Sequence, residues 1–402
     1  MIFLGQASNY RFGAAWHHLW MHGGQQEVKR LKQDLAKKYQ ADEDQVEVYH
    51  TGRTALAVAL KAVAKPGMAV IVPGLTCIAV VRAVRAAGCV PAYVDIEPEG
   101  LGYDWKSLDK KLEECYNGSI ILVQNTLGRA LDMRKLEEIA KKHKSIIVED
   151  LAHCAGRFYP DGREVGTVGA AAALSFGKGK ALDTISGGAV VVRQGEILDD
   201  DRPTRRPSRG DRWRDRWYPI LGWIMRGACH IGLGKIVTGG FLRLGWIARS
   251  ADAELDTQVG LTGGQAKLAR EQLRNLPKGL LREYYYVRDR AELLPSLARR
   301  GYHLQEIWYD APVSPARYAD EAEFPTEECP QTIWAAEHII NLPTWYEEAK
   351  LQPVREMIKP CLVEPKAIPG SLTEQPKTHE TSTSHKHQHG QSPSKQEEEK
   401  KS

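Results

Sequence analysis

The sequence has no uninterrupted apolar run long enough to cross a membrane. A transmembrane helix needs about 20 predominantly apolar residues, and the most apolar stretch, 217–247, is interrupted by Arg226, Lys235 and Arg243. The first residues, Met1-Ile2-Phe3-Leu4, are followed by Gly, Gln, Ser and Asn, without a cationic segment or a long apolar core. We therefore expect no export signal and a cytoplasmic protein.

Cysteine is scarce and irregularly spaced. The seven cysteines are odd in number and mostly stand in apolar runs, which is typical of reduced thiols and argues against a disulfide framework. No Cys-x-x-Cys pair appears, and His385, His387 and His389 lie in a polar tail. We therefore predict no metal site.

An excess of charge of one sign is also missing. A net charge of +4 is slight for 402 residues and gives no reason to expect a nucleic acid partner. With 42% hydrophobic and 26% charged residues, the chain can bury a large core and build two domains. The composition is typical of a soluble enzyme.

What the sequence does contain is an alternation of strand-like and helix-like segments. Strands are predicted at 69–72, 89–95, 119–124, 145–150, 171–176 and 188–193, and helices at 54–64, 76–87, 106–115 and 132–143. This pattern predicts an α/β fold with a mostly parallel sheet and helices on both faces. Ligands of such sheets bind beyond the carboxyl ends of the strands, and Asp150 stands at one of these ends.

Asp150 and Lys180 are the most informative pair of residues. Asp150 ends an apolar strand, and Lys180 lies in a loop just before Gly187-Gly188. This pairing suits pyridoxal 5′-phosphate (PLP), because a lysine amine can hold its aldehyde as a Schiff base while a carboxylate keeps the pyridine nitrogen protonated. The segment Thr51-Gly52-Arg53-Thr54 enters a helix whose N-terminus could seat the phosphate, and Ser175 could add a hydroxyl.

These residues resemble the DegT/StrS family of PLP-dependent sugar aminotransferases, of the aspartate aminotransferase fold type I. The likeness is carried by the segments Thr51-Gly52-Arg53-Thr54-Ala55-Leu56, Val70-Ile71-Val72-Pro73-Gly74-Leu75-Thr76, Pro91-Ala92-Tyr93-Val94-Asp95-Ile96, Glu149-Asp150-Leu151-Ala152-His153-Cys154-Ala155-Gly156 and Ser175 to Lys180 with Gly187-Gly188-Ala189. It runs from about residue 48 to 193 and resumes at 265–273 and 341–343. The resemblance implies a large domain with a central sheet and a smaller C-terminal α+β domain.

The resemblance also implies roles for single residues. Lys180 would bind PLP covalently, Asp150 would pair with the pyridine nitrogen, and His153 would contact the 3-oxygen. The implied phosphate contacts are Gly52, Arg53, Thr54 and Ser175. Three further cofactor positions depart from the family: Cys77 stands where many members have an aromatic ring, Asn125 replaces a frequent histidine, and Gln258 stands for an asparagine that reaches a neighbouring subunit. The family habit implies a homodimer.

An unusual segment, residues 201–250, separates the two domains. Seven arginines fall between Arg202 and Arg216, and Trp213, Trp217, Trp223 and Trp246 accompany them. Arginines beside tryptophans are typical of an amphipathic segment at a membrane surface, and an insertion packed on the protein or on a dimer partner fits equally well. Because nearly all proposed cofactor residues precede this segment, we expect its deletion to leave PLP binding intact.

The sequence thus divides into four parts. The large PLP-binding domain is predicted at 1–200, the insertion at 201–250, a long helix from Gly263 towards Leu297 and the small domain within 251–365, and a disordered polar tail at 366–402. The implied activity is amino transfer, by family habit from glutamate, to a keto sugar that we expect to be nucleotide-linked, in cell-surface glycan or secondary-metabolite synthesis. A same-fold enzyme acting on another ketone or amino acid, and a membrane-associated non-catalytic scaffold, remain alternatives.

Overall fold

The structure, a computed structural model, describes residues 2–4, 12–116, 118–276, 279–304, 307–344 and 347–368. Its α-helices, α1 to α13, are Phe12–Trp20, Gln25–Lys38, Gly52–Lys61, Ile78–Ala86, Trp105–Glu113, Met133–His143, Arg209–His230, Gly234–Arg243, Gly263–Leu273, Arg290–Arg299, Ala319–Ala322, Pro330–His338 and Glu348–Ile358. Its strands, β1 to β13, are Ile2–Leu4, Val46–Tyr49, Ala69–Pro73, Thr76–Cys77, Val90–Val94, Ser119–Val123, Ile146–Asp150, Ala171–Ser175, Gly188–Val192, Arg282–Tyr286, Tyr302–Leu304, Val313–Ser314 and Ile339–Pro343. Most of the tail predicted to be disordered lies outside the described residues.

A seven-stranded sheet forms the centre of the fold, in the order β2-β9-β8-β7-β6-β3-β5. All neighbouring strands are parallel except β9, which runs antiparallel to both β8 and β2. Apolar clusters cover both faces: α2, α5, α6 and α9 pack on one, and α3 and α4 on the other. The predicted α/β fold with a mostly parallel sheet is confirmed, and so are the helices and strands predicted before residue 194, each within a few residues of its predicted bounds.

Three candidate site segments meet at one edge of this sheet. Because β2 and β8 are both antiparallel to β9, they are parallel to each other, and their carboxyl ends lie on the same side as that of β7. Asp150 ends β7, Ser175 ends β8, and Thr51 follows β2 at the start of α3. The fold therefore collects these residues at the edge where such sheets bind ligands.

The small domain differs from the sequence-based prediction. Helix α9 ends at Leu273, and the tyrosines expected in a long helix form β10, which pairs with β13 in antiparallel register. Gly279 and three consecutive aromatic residues favour this break, because glycine weakens a helix and tyrosine packs well in a strand. The prediction of one long helix from Gly263 towards Leu297 is therefore wrong. Helices α10 and α13 cover β10 and β13 with a separate apolar cluster.

The insertion forms two helices, α7 and α8, and α1 packs against α7. The inner side of α7 buries Tyr218, Leu221 and Met225 in a cluster with Ile185 and Ile247. None of the helices in the described part of the chain is long and apolar enough to cross a membrane. The sequence patterns predicted neither α1 nor β2.

Candidate active site

Lys180 and His153 are in direct contact. The Lys180 Nζ lies 2.8 Å from His153 Nε2, and His153 Nδ1 accepts the backbone N–H of Leu127 at 3.1 Å. Burial lowers the pKa of His153 well below its usual value, and the charges of Lys180 and Arg282 lower it further. A neutral imidazole that accepts at Nδ1 carries its proton on Nε2. The imidazole is therefore held on both sides, and its Nε2 positions the Lys180 nitrogen at the end of the sheet.

Asp150 completes this group from the end of β7. Its side chain is buried, and Oδ1 accepts the backbone N–H of Ala152 at 2.9 Å. Burial raises the pKa of Asp150, and the nearby charge of Lys180 opposes this shift. A buried carboxylate gains most from a partner that carries a positively charged N–H. Asp150 therefore fits the pyridine nitrogen of PLP.

The N-terminus of α3 forms a close-fitting cradle. The Thr51 hydroxyl caps the helix by accepting the N–H of Thr54, and the two threonine oxygens lie 2.8 Å apart. A Cβ added at Gly52 would lie 2.6 Å from both Cβ and Oγ of Ser175, so only glycine fits here. The helix dipole and its free N–H groups favour an anion at this position. The cradle therefore suits a phosphate.

Arg53 directs its guanidinium away from this cradle. It donates to the carbonyls of Ala251 at 3.0 Å and Ser250 at 2.5 Å, and also to Ala253. Burial is the main cause that lowers its pKa. The side chain therefore holds the end of the insertion, and the backbone amide is the part of Arg53 left facing a phosphate.

The three departures from the family pattern lie in different surroundings. Cys77 ends β4 beside Ser314 of β12 and is half-buried. The Asn125 amide points into the core, where Oδ1 accepts the Leu131 N–H at 3.1 Å and Nδ2 lies 3.4 Å from the Tyr159 hydroxyl. These contacts give Asn125 a structural role.

Gln258 belongs to the loops beside the insertion. Its Oε1 accepts the Thr204 hydroxyl at 2.7 Å, and its Nε2 donates to the carbonyl of Asp200. Its expected contact with a neighbouring subunit stays a prediction.

Two aromatic residues at the site were not predicted from the sequence. The Trp308 ring stacks on His153 with centroids 4.9 Å apart, and Lys180 Nζ lies 4.6 Å from the Trp308 centroid. The Tyr309 hydroxyl lies 3.3 Å from His153 Nδ1 and accepts from Gln124 Nε2 at 3.4 Å. Both rings reach the site because β12 pairs with β4 and draws the preceding loop over the sheet edge. No local sequence pattern links these rings to Lys180.

The insertion is fastened to the segments that carry the candidate site. Lys178 Nζ donates to the Ala248 carbonyl at 3.0 Å and lies 3.8 Å from the Tyr218 ring centroid. The half-buried Asp215 of α7 accepts from the Ser186 hydroxyl at 2.5 Å and from Gln265 Nε2 at 3.1 Å. Lys178 is therefore used as an anchor and is not simply a solvated charge near Lys180.

Comparisons with known proteins identify the family of the chain. The model of the DegT/DnrJ/EryC1/StrS aminotransferase family matches residues 6–229. The chain is 32% identical over 178 residues to a GDP-perosamine synthase of Caulobacter vibrioides, covering 44% of this chain and 47% of that protein. It is 33% identical over 164 residues to an L-glutamine:2-deoxy-scyllo-inosose aminotransferase of Micromonospora echinospora, covering 39% of this chain and 38% of that protein.

A solved structure shares the fold over a longer stretch. DesV of S. venezuelae, solved in complex with a ketimine intermediate, matches with a TM-score of 0.59 and 23% identity, covering 83% of this chain and 88% of DesV. The sequence matches are shorter. The chain spans about half the length, 47%, of the first curated relative that it matches.

Proposed function

The chain belongs to the DegT/DnrJ/EryC1/StrS aminotransferase family, and from this premise we propose that it is a PLP-dependent aminotransferase acting on a keto sugar. The observation that carries the proposal is the Lys180 amine held by His153, with Asp150 at the neighbouring strand end. Glutamate is the proposed amino donor, and the sugar is proposed to be nucleotide-linked. The relatives named as a GDP-perosamine synthase and an inosose aminotransferase support a cyclic polyol or sugar substrate.

The residues present fit PLP. The cradle of Gly52, Thr54 and Ser175 would hold its phosphate, and the buried Asp150 would accept the N–H of its ring. When bound, the cofactor supplies an electron sink for the carbanion formed at the substrate carbon. Cys77 and Gln258 are also proposed to contact the cofactor. Asn125 is proposed to act only by shaping the site.

The chain's own groups supply proton transfer and positioning. The His153 ring positions the Lys180 nitrogen, and Lys180 Nζ would serve as the base that takes a proton from the substrate carbon bearing the amino group. The negative charge of Asp150 would stabilise a protonated ring nitrogen. Trp308 and Tyr309 cover this side of the site and help to exclude water.

The test is a substrate screen with the purified full chain. PLP, glutamate and a panel of nucleotide-linked keto sugars would be mixed with the protein, and formation of 2-oxoglutarate would be followed. Turnover with one sugar supports the proposal. The alternative substrate class, a non-sugar ketone or amino acid, is favoured by the missing ring at Cys77, and it predicts turnover only with such compounds. The absence of PLP binding would support the non-catalytic scaffold.

We further propose a homodimer in the cytoplasm that contacts the inner membrane face through residues 202–247. The dimer is supported by the family and by the place of Gln258 among the loops beside the insertion, where it bonds to Thr204 and Asp200. The membrane contact is supported by the arginines of α7 and α8, by the exposed Trp213 and Trp223 of α7, and by Trp246, which follows α8. Light scattering tests the dimer, and a monomer with full activity at micromolar concentration would contradict it.

A further inference from the structure

Exposed apolar side chains are concentrated in three helices. We define the lipid face by the large apolar residues of α1, α7, α8 and their connections that are at least two-fifths exposed: Phe12, Trp16, Trp20, Trp213, Trp223, Ile224, Ile231, Leu233, Ile236, Leu244 and Trp246. Trp20 is 60% exposed and Ile236 72%. Scattered exposed apolar residues are normal, whereas a concentration of them marks an interaction surface.

Ring contacts join the three helices into one surface. Phe12 of α1 and Trp223 of α7 have centroids 5.6 Å apart, and Trp213 of α7 lies 5.9 Å from Trp246, which follows α8. The Arg216 guanidinium also donates to the carbonyl of Leu19 at 2.7 Å. Helix α1 lies outside residues 202–247, yet it is part of the same surface.

The outer residues are not needed to cover the core. Tyr218, Leu221 and Met225 on the inner side of α7 already pack against Ile185 and Ile247. A helix that satisfies its inner face in this way normally presents polar residues outward. Trp223 and Ile224 instead point to solvent from the same helix.

The charge around the face is strongly positive. Arg206, Arg209, Arg212, Lys235, Arg243 and Arg249 are exposed, and none of them forms an ion pair with an acidic residue in the part of the chain that the structure describes. Within residues 202–247 the acidic residues are Asp211, paired with Arg214, and the half-buried Asp215, which accepts from Ser186. The surface therefore combines apolar rings with cations that lack counter-charges.

We propose that α1, α7 and α8 form one lipid-binding face for anionic membrane surfaces, to which α1 contributes Phe12, Trp16 and Trp20. Tryptophan is enriched at membrane–water interfaces, and cations near an anionic leaflet each strengthen binding by about fivefold. Helices with such a face lie in the plane of the interface and do not span it. A second copy of the chain fits less well, because a two-fold contact would bring two cationic faces together.

This inference rests on the proposed membrane contact of residues 202–247 and extends it to α1. The test is sedimentation of the full chain with phosphatidylcholine vesicles, with and without phosphatidylserine. The protein is expected to sediment with the anionic vesicles at low salt, and less at high salt because exposed charges are screened.

Paired substitutions separate the contributions of the helices. Trp16→Ser with Trp20→Ser in α1 is expected to weaken binding about tenfold, since each ring gives up apolar contact with the interface. The matched control is Tyr116→Ser with Phe158→Ser, two aromatic residues exposed elsewhere, at 93% and 58%. Arg212→Gln with Arg243→Gln should lower binding about fivefold per cation, and Lys110→Gln with Lys141→Gln, exposed on α5 and α6, should have little effect.

Circular dichroism and PLP content would verify that each variant is folded. If the α1 pair binds like the wild type, α1 is not part of the face. If the wild type does not sediment with anionic vesicles, the whole membrane proposal is wrong. The proposed catalysis is tested separately, by attachment of PLP to Lys180. If the α1 pair instead lowers the oligomer mass and leaves vesicle binding unchanged, the surface is a protein–protein contact and the lipid assignment is overturned.

Discussion

Lys180 Nζ and His153 Nε2 lie 2.8 Å apart. The other ring nitrogen of His153 accepts the Leu127 N–H, so the imidazole is held on both sides. The contact positions the Lys180 nitrogen beside the buried carboxyl of Asp150. The proposed function rests on this relationship, because PLP chemistry requires a lysine nitrogen for the cofactor aldehyde and a carboxylate for its ring nitrogen.

Replacing Asp150 tests the electrostatic part of the proposal. Asp150→Asn keeps the shape of the side chain but removes the negative charge that holds a proton on the cofactor ring. We expect PLP to remain bound and turnover to fall about 10²- to 10³-fold, as when one pre-organised electrostatic contact is lost. PLP absorbance and steady-state kinetics would measure the two effects. Unchanged turnover would rule out this role for Asp150.

Trp308 is expected to shield the lysine from solvent. Trp308→Ala should speed borohydride reduction of the PLP–Lys180 linkage about threefold or more, because the ring that covers the nitrogen is lost. Trp105→Ala is a matched control, because it removes a ring that lies at the same distance, 4.6 Å, from a different lysine, Lys135. Equal rates in both variants and the wild type would show that Trp308 does not cover the site.

His18 predicts a pH dependence for the docking of α1. Burial lowers the pKa of His18 to about 4 from its ordinary value of 6.5, and the charges of His17 and Arg216 also lower it. Between these values the unfolded chain binds more protons than the folded one, so stability rises with pH across this window. Acidification from pH 7 to about 4 should therefore destabilise α1 by up to about 3 kcal/mol.

Hydrogen exchange of the α1 amides at pH 7 and pH 5 measures this effect. His18→Gln should remove most of the pH dependence, while His17→Gln, at an exposed position, should retain it. The same pH dependence in both variants would assign it to another group.

The contacts of Asp215 revise the expectation that the insertion can be removed without effect on PLP. Asp215→Ala removes a half-buried carboxylate that accepts from the Ser186 hydroxyl and the Gln265 amide, which costs about 1–3 kcal/mol. Because Ser186 lies two residues before Gly188, which packs against Gly52, PLP affinity should fall as well. Asp211→Ala in the first turn of the same helix, where the side chain bonds to Ser208 and Arg214, should leave PLP affinity unchanged. Equal PLP affinity in both variants would contradict the coupling.

The sequence predicted the sheet and the strand-end residues because apolar strands buried on both faces are local signals. Asp150 could be placed at a strand end from the alternation of strands and helices alone, whereas Thr51 could not, because its place depends on the antiparallel pairing of β2 with β9. Trp308 and Tyr309 could not, because their approach depends on the pairing of β12 with β4, far apart in the chain. The error at 274–297 has the same cause, since β10 exists through its pairing with β13. The direction of the Arg53 side chain could not be predicted either, because it binds the end of the insertion, whose position no local sequence pattern indicates.

The central claim is that Lys180 carries the cofactor, and peptide mapping after reduction tests it most directly. The full chain would be loaded with PLP, reduced with borohydride, digested and analysed by mass spectrometry. The account predicts the pyridoxyl group on Lys180, and no labelling of that segment in Lys180→Ala. Labelling of Lys178, whose ammonium is held by Ala248 and Tyr218, or of neither lysine, would contradict it.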